Sequence, residues 1–415
     1  MSLDAAKPVA RRPTPRMAHL LGPAFVAAIA YVDPGNVAAN LTAGARYGYT
    51  LVWVLVLANI MACLIQYLSA KLGLVTGHSL PQLIARHLPR AGRLAFWAQA
   101  EVIAIATDLA EVIGGALALH LLFGLPLLLG GLVTAVASMG LLAVQSRHGQ
   151  RPFEFVVTGL LLVITVGFVA GLFVSPVSVP DLAHGLVPRF DGSDSVLLAA
   201  SMLGATVMPH AVYLHSSLTR DRHGHAPDPA ERRHLLRATR WDVASALVIA
   251  GGVNIAMLVL AAINLRGVGG TDSIEGAYAA IVASLGPVIG VIFAIGLLAS
   301  GLASTSVGCY AGSEVMEGLL RVRVPLLARR AITVVPALIV LAIAVSPTWA
   351  LVVSQVILSF GIPFALVPLV VLTGRRSVMG ADANNRLTAA LAWTVTAAIV
   401  ALNVALLWLT VAALI

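Results

Sequence analysis

The sequence predicts an all-α membrane protein of eleven transmembrane helices. The first ten form two five-helix repeats of opposite orientation, and the first helix of each repeat is discontinuous. Three observations predict this. The chain is too apolar to be soluble, its basic residues alternate with its apolar runs, and two of those runs carry a proline beside polar groups at mid-depth.

Of 415 residues, 59% are hydrophobic and 11% are charged. A soluble domain carries roughly a quarter of its residues charged. The 26 basic and 18 acidic residues cannot clothe a chain of this size in a polar shell. A soluble enzyme, a nucleic-acid binder and a disordered scaffold are excluded on this ground. The net charge of +8 reflects basic loops beside the membrane rather than affinity for nucleic acid. Cys63 and Cys309 lie in separate apolar runs and read as core residues, not as a disulfide or a redox pair. The opening MSLDAAKPVARRPTPR is basic and proline-rich, with no cleavable signal pattern. Residues 1–18 read as a cytoplasmic tail.

A spanning helix needs about 20 apolar residues. Eleven segments qualify: 19–45, 50–75, 95–122, 126–145, 153–175, 195–219, 242–264, 276–318, 328–345, 350–373 and 388–412. The eighth is long and is interrupted by Gly286-Pro287, so it either extends beyond the bilayer or begins with an interfacial piece. With a cytoplasmic N-terminus, 23 of the 26 Lys and Arg fall inside, and Arg46, Arg189 and Arg266 fall outside. That asymmetry fixes a multi-pass topology in the cell membrane with the C-terminus outside. One span more or fewer would scramble the alternation. The first repeat is 19–175, the second 195–373, and 388–412 is an additional helix. The loop after span six, TRDRHGHAPDPAERRH, carries His223, His225 and His234, and reads as a solvated cytoplasmic loop in preference to a metal site.

Span one contains Tyr31-Val32-Asp33-Pro34-Gly35-Asn36. An aspartate at the bilayer centre costs about 3 kcal/mol on insertion scales. Proline removes a helix hydrogen bond, and glycine loosens the backbone. The freed backbone groups must face protein or water. Span six contains Ala205-Thr206-Val207-Met208-Pro209-His210, with a second proline 175 residues after Pro34. Folds with two inverted broken helices bind substrate between the breaks, near the midplane. Asp33 offers a hard anionic oxygen and Asn36 a neutral one. A carbonyl freed in span six adds a third oxygen, and Met208 adds a thioether. No cation lies in either break to pair an organic carboxylate. Oxygen with one soft sulfur suits a transition-metal dication, whereas calcium and magnesium prefer oxygen alone.

The DPGN of span one and the MPH of span six resemble the Nramp family of proton-coupled divalent-metal transporters. So do AIATDLAEVIGGALAL in span three, LLASGLASTSVGCYAG in span eight and SQVILSFGIPFALVPL in span ten. The resemblance covers nearly the whole chain and implies a LeuT-type fold, the 5+5 inverted repeat plus one C-terminal helix. By position it implies Asp33, Asn36, the Ala205 carbonyl and the Met208 sulfur as metal ligands. Ala30, Gln355 and Asn254 follow as secondary positions. It implies import of Mn²⁺, with Fe²⁺, Cd²⁺ and Co²⁺ as further substrates, driven by protons. Ala211 departs from the family, where many members place asparagine after MPH, and that position is not a ligand.

Span three holds Glu101, Asp108 and Glu111. At 100° per residue, all three fall within about 80° of arc. Three carboxylates in one span must be protonated, paired or wet. Arg329 and Arg330, at the start of span nine, are available partners. The resemblance implies a proton route from Asp33 through Asp108 and Glu111 to the cytoplasm, with His210 in gating and proton handling. His215 lies on a different face and carries no assignment. The expected partners are divalent metal ions, protons and lipid, with no resident cofactor and no obligatory protein partner. The rival reading is a sodium-coupled organic-solute carrier of the same fold. HExxH and GxSxG are absent, which removes the usual signatures of a metalloprotease or a serine hydrolase.

Overall fold

The computed structural model describes residues 21–224, 228–271, 273–343 and 346–412. The tail at 1–18 lies outside these residues. The described residues form helices and no strands. In chain order, α1 is Pro23–Ala28, followed by a 3-10 turn Ile29–Val32, and α2 is Pro34–Tyr47. Then come α3 Val52–Thr76, α4 Leu80–His87, α5 Arg90–Phe123, α6 Leu127–His148 and α7 Gln150–Val169, the last extended by the 3-10 turn Ala170–Val174. They are followed by α8 Val179–His184, α9 Gly192–Thr206, α10 Pro209–His223, α11 Pro229–Asn264, α12 Ile274–Leu285 and α13 Pro287–Leu320. The chain ends with α14 Leu326–Ala342, α15 Pro347–Gly374, α16 Arg376–Met379, a 3-10 turn Gly380–Asp382 and α17 Arg386–Ala412.

By length and composition, nine segments among the described residues can cross a membrane: α3, α5, α6, α7, α9 with α10, α11, α13, α15 and α17. The remaining two predicted spans are shorter for physical reasons. Span one is divided at Asp33, and α14 has 17 residues. The eleven passes therefore stand. The eighth begins with a separate piece. Gly286, at φ 90°, ends α12, and Pro287 starts α13 as a first-turn residue.

The loop after span six is shorter than the sequence reading gave it. Helix α10 continues to His223, and α11 begins at Pro229, with the Asp228 side chain accepting from Glu231 N. Aspartate before proline is a strong helix start, so the polar stretch is mostly helix standing beyond the apolar region. The short helices α4, α8 and α16 were not expected either. Their polar residues and brevity hide them from any search for apolar runs.

Helix α5 runs through the centre, against α13, α15, α6 and α14, and α2 packs along α11. The basic face is clamped around the start of α1. Asp242 on α11 accepts from Gly22 N and Ala24 N, both at 2.9 Å. Gly22 has φ 145°, and a Cβ there would overlap the Glu154 carboxylate. Glu154 in turn accepts from Gln150 at 2.6 Å and lies 3.8 Å from Arg222. On the opposite face, a cavity of about 570 Å³ opens between the end of α2, the start of α9 and the 267–271 loop. Arg46, Tyr47, Asp194 and Thr271 line it. The two broken helices thus meet solvent on that face and are fastened on the other.

Candidate metal site

The first break is built by Asp33 and Pro34. Asp33 is extended (φ −70°, ψ 167°) and caps α2, while Pro34 occupies the first helical position, where its missing N–H costs nothing. Asp33 Oδ1 accepts from Asn36 N at 2.8 Å and from Asn36 Nδ2 at 2.6 Å. The carbonyls released by the 3-10 turn are met by neighbouring helices. Asn254 Nδ2 donates to Tyr31 O at 2.7 Å, and Ser300 Oγ donates to Val32 O at 2.5 Å. Ala30 lies in the same turn, 1% exposed.

The second break lies at Val207 and Met208, both non-helical, before Pro209 starts α10. Asn36 Nδ2 also donates to Ala205 O at 3.0 Å. One amide nitrogen therefore joins the two breaks across 169 residues of sequence. Met208 is 1% exposed and stands three residues after Ala205. Gln355 reaches in from α15. A Cβ on Gly35 would collide with the Gln355 amide and lie 3.2 Å from Asp33 Oδ2, so these two side chains flank the first turn of α2. His210 is buried at the second position of α10.

Several of these groups have no hydrogen-bond partner among the described residues: Asp33 Oδ2, Asn36 Oδ1, both polar atoms of Gln355 and both ring nitrogens of His210. A buried, unsatisfied polar atom costs about 1–3 kcal/mol. Such atoms gathered at two helix breaks mark a place where something else supplies the partner. One carboxylate, amide and backbone oxygens and one thioether can hold a transition-metal dication. Among the described residues, no group of three or more His, Cys, Asp or Glu could hold a metal ion, at the breaks or elsewhere, so a metal here relies on amide, carbonyl and thioether donors beside Asp33. Of the loop histidines, His225 lies outside the described residues.

Two features escaped the sequence reading. Gln66 on α3 donates Nε2 to Tyr31 OH at 2.8 Å, and its Oε1 lies 2.7 Å from His215 Nδ1. His215 thereby belongs to a buried chain that ends beside the first break. A glutamine inside apolar span two was the available signal. Ser300 gave none, because serine is ordinary in a membrane helix.

The span-three carboxylates meet the two arginines of α14. Arg330, fully buried, places Nη1 3.1 Å from Asp108 Oδ1 and donates Nε to Ser138 Oγ at 2.9 Å. Arg329 Nη2 lies 2.9 Å from Glu101 Oε1. Glu111 is fully buried, and neither carboxyl oxygen has a partner among the described residues. One turn on, Gly114 packs so closely on the Pro34 ring that a Cβ would overlap it. The acidic series on α5 therefore runs from the first break toward the basic face, over about 20 Å. Removing one member of a buried ion pair costs about 3–5 kcal/mol, whereas removing both can be nearly neutral. Arg330→Met is expected to lower the melting temperature in detergent markedly, and Arg330→Met with Asp108→Asn to recover most of the loss. Equal melting of the single and double variants would show that the pair is not coupled.

Comparison with known proteins agrees with this architecture. The profile of the Nramp family, described as natural resistance-associated macrophage protein-like, matches residues 24–409. The divalent metal cation transporter MntH of Mycobacterium tuberculosis is 62% identical over 394 residues, covering 95% of this chain and 92% of that protein. A crystal structure of the Eremococcus coleocola manganese transporter, in complex with an aromatic bis-isothiourea substituted compound, superposes with a TM-score of 0.87 at 30% identity. That match covers 98% of this chain and 90% of the other. MhsT in complex with L-phenylalanine superposes at 0.58 with 14% identity, over 95% and 98% of the two chains, a likeness of fold alone. The fold is LeuT-type, the relatives are membrane transporters rather than enzymes, and the chain belongs to the Nramp family.

Proposed function

We propose that this protein imports divalent transition-metal ions, Mn²⁺ foremost with Fe²⁺, Cd²⁺ and Co²⁺, coupled to protons and by alternating access. One observation carries the reading. Asp33 Oδ1 and Ala205 O, one from each break, converge on a single donor, the Asn36 amide nitrogen. A dication between the breaks replaces that donor. Rotation of the Asn36 amide then presents Oδ1 to the ion, and Met208 completes the protein ligands with sulfur. Ala30, Gln355 and Asn254 are secondary positions that approach during occlusion. The names of the relatives, a divalent metal cation transporter and a manganese transporter, support this substrate class. A sodium-coupled organic-solute carrier would present groups suited to an organic substrate, and the two breaks offer an anion and a thioether instead.

The basic face is cytoplasmic in this reading, and the cavity beside Arg46 is the outer mouth. The halves 19–175 and 195–373 move against each other about the two breaks, with the site between them. No resident cofactor takes part. A proton leaves Asp33 when the metal binds and passes through Glu111 and Asp108 to the Arg329–Glu101 pair, with His210 in gating and proton handling.

Purified protein in liposomes, with metal uptake and internal pH read together, tests each part. Asp33→Ala abolishes Mn²⁺ uptake; transport at the parental rate would remove the ion from this site. Met208→Ala admits Ca²⁺ or Mg²⁺, because the thioether no longer penalises ions that prefer oxygen. Unchanged discrimination would withdraw that role. Asp108→Asn reduces metal-driven acidification severalfold while Mn²⁺ still binds, and an intact proton flux would place the route elsewhere.

A further inference from the structure

Asn40, four residues past Asn36 on α2, is fully enclosed and has no role in the site as described. Its amide orientation is forced by its neighbours. The Tyr31 carbonyl can only accept, so Asn254 turns Nδ2 toward it at 2.7 Å. Asn254 is left with Oδ1 for Asn40, which donates Nδ2 at 2.8 Å. Asn40 Oδ1 therefore remains over, and it accepts from no group among the described residues. Asp33, Asn36 and Asn40 lie at i, i+3 and i+7, within about 60° of arc on one helix face. Each carries a buried oxygen without a donor: Asp33 Oδ2, Asn36 Oδ1 and Asn40 Oδ1. Three acceptors thus rise along α2 from the break toward the end that carries Arg46.

Asn40 stands about 6 Å along the axis from Asn36, too far to share an ion with it directly. A metal–oxygen bond of about 2.2 Å followed by a hydrogen bond of about 2.8 Å spans about 5 Å. A water held by the ion fits this gap, and water on a dication is more acidic than bulk water and so a better donor. We propose that Asn40 Oδ1 accepts a hydrogen bond from a water that the bound dication retains on its outward side. Asn40 is then a positioning residue that keeps the ion partly hydrated in the site. This rests on the divalent-metal reading above.

Calorimetry of Mn²⁺ binding to the purified full-length protein tests it, with thermal melting as a check on folding. Asn40→Leu weakens binding about tenfold, as expected for loss of a hydrogen bond to a charged centre, and by more than Asn254→Leu does. Asn40→Asp keeps an acceptor oxygen but cannot donate to Asn254, and it binds at least as tightly as the parent. If Asn40→Leu, Asn40→Asp and Asn254→Leu all weaken Mn²⁺ alike, Asn40 is a structural tie and the proposal is overturned. An unchanged Kd in Asn40→Leu overturns it as well. Should Asn40→Leu fail to fold, Asn40→Ser takes its place with the same expected direction. Pulsed electron paramagnetic resonance of bound Mn²⁺ in D₂O adds a direct readout. Deuterium coupling from a coordinated water is expected, and its absence overturns the proposal. Asp33→Ala separates the two levels: parental Mn²⁺ affinity in that variant would mean that the metal site itself is misplaced.

Discussion

The structure depends on one hydrogen-bonded bridge, from Asp33 Oδ1 through the Asn36 amide nitrogen to the Ala205 carbonyl. A bilayer gives no water to a broken helix, so each freed backbone group needs a partner from protein. The two breaks partly supply one another, and Asn254 and Ser300 supply the rest for span one. Left unmatched beside them are two oxygens, Asp33 Oδ2 and Asn36 Oδ1, together with the Gln355 amide and the His210 ring. An excess of acceptors over donors in a buried site is a demand for positive charge. In the proposed reading, the two unmatched oxygens at the first break, with the Met208 thioether, are what a dication would satisfy.

The same logic governs span three. Arg330 and Arg329 neutralise Asp108 and Glu101, but Glu111 lies between the break and those pairs without a partner among the described residues. Two of the three carboxylates are thus held by fixed charges, and the proposed proton route passes through the third. Gly114 against Pro34 brings this series into contact with the first break, so α2 and α5 could not shift independently of one another.

Most of the architecture was legible in the sequence because the membrane imposes simple rules. Apolar length and mid-span prolines pointed to the helices and to both breaks. Asp33, Asn36 and Ala205 are joined because DPGN and MPH each force a cap where a helix cannot continue. The sequence could not give pairings that depend on packing. Gln66 with His215, Ser300 with Val32 and Asn40 with Asn254 are long-range contacts between residues unremarkable in isolation. The stretch 219–234 reads as loop but is helix over 219–223 and 229–234, because hydropathy reports the bilayer and says nothing of helices that outlast it.

The clamp on α1 has a mechanical consequence. This helix has six residues, too few to bend, and its two ends are tethered differently. Asp242 grips its start through two backbone amides, and Ser300 holds the turn that follows it. Such a stub is held at both ends as one rigid piece. Freeing its start requires one carboxylate to release two backbone amides together. In the alternating-access reading, the first half of the broken span would therefore move as one piece and would not unwind residue by residue.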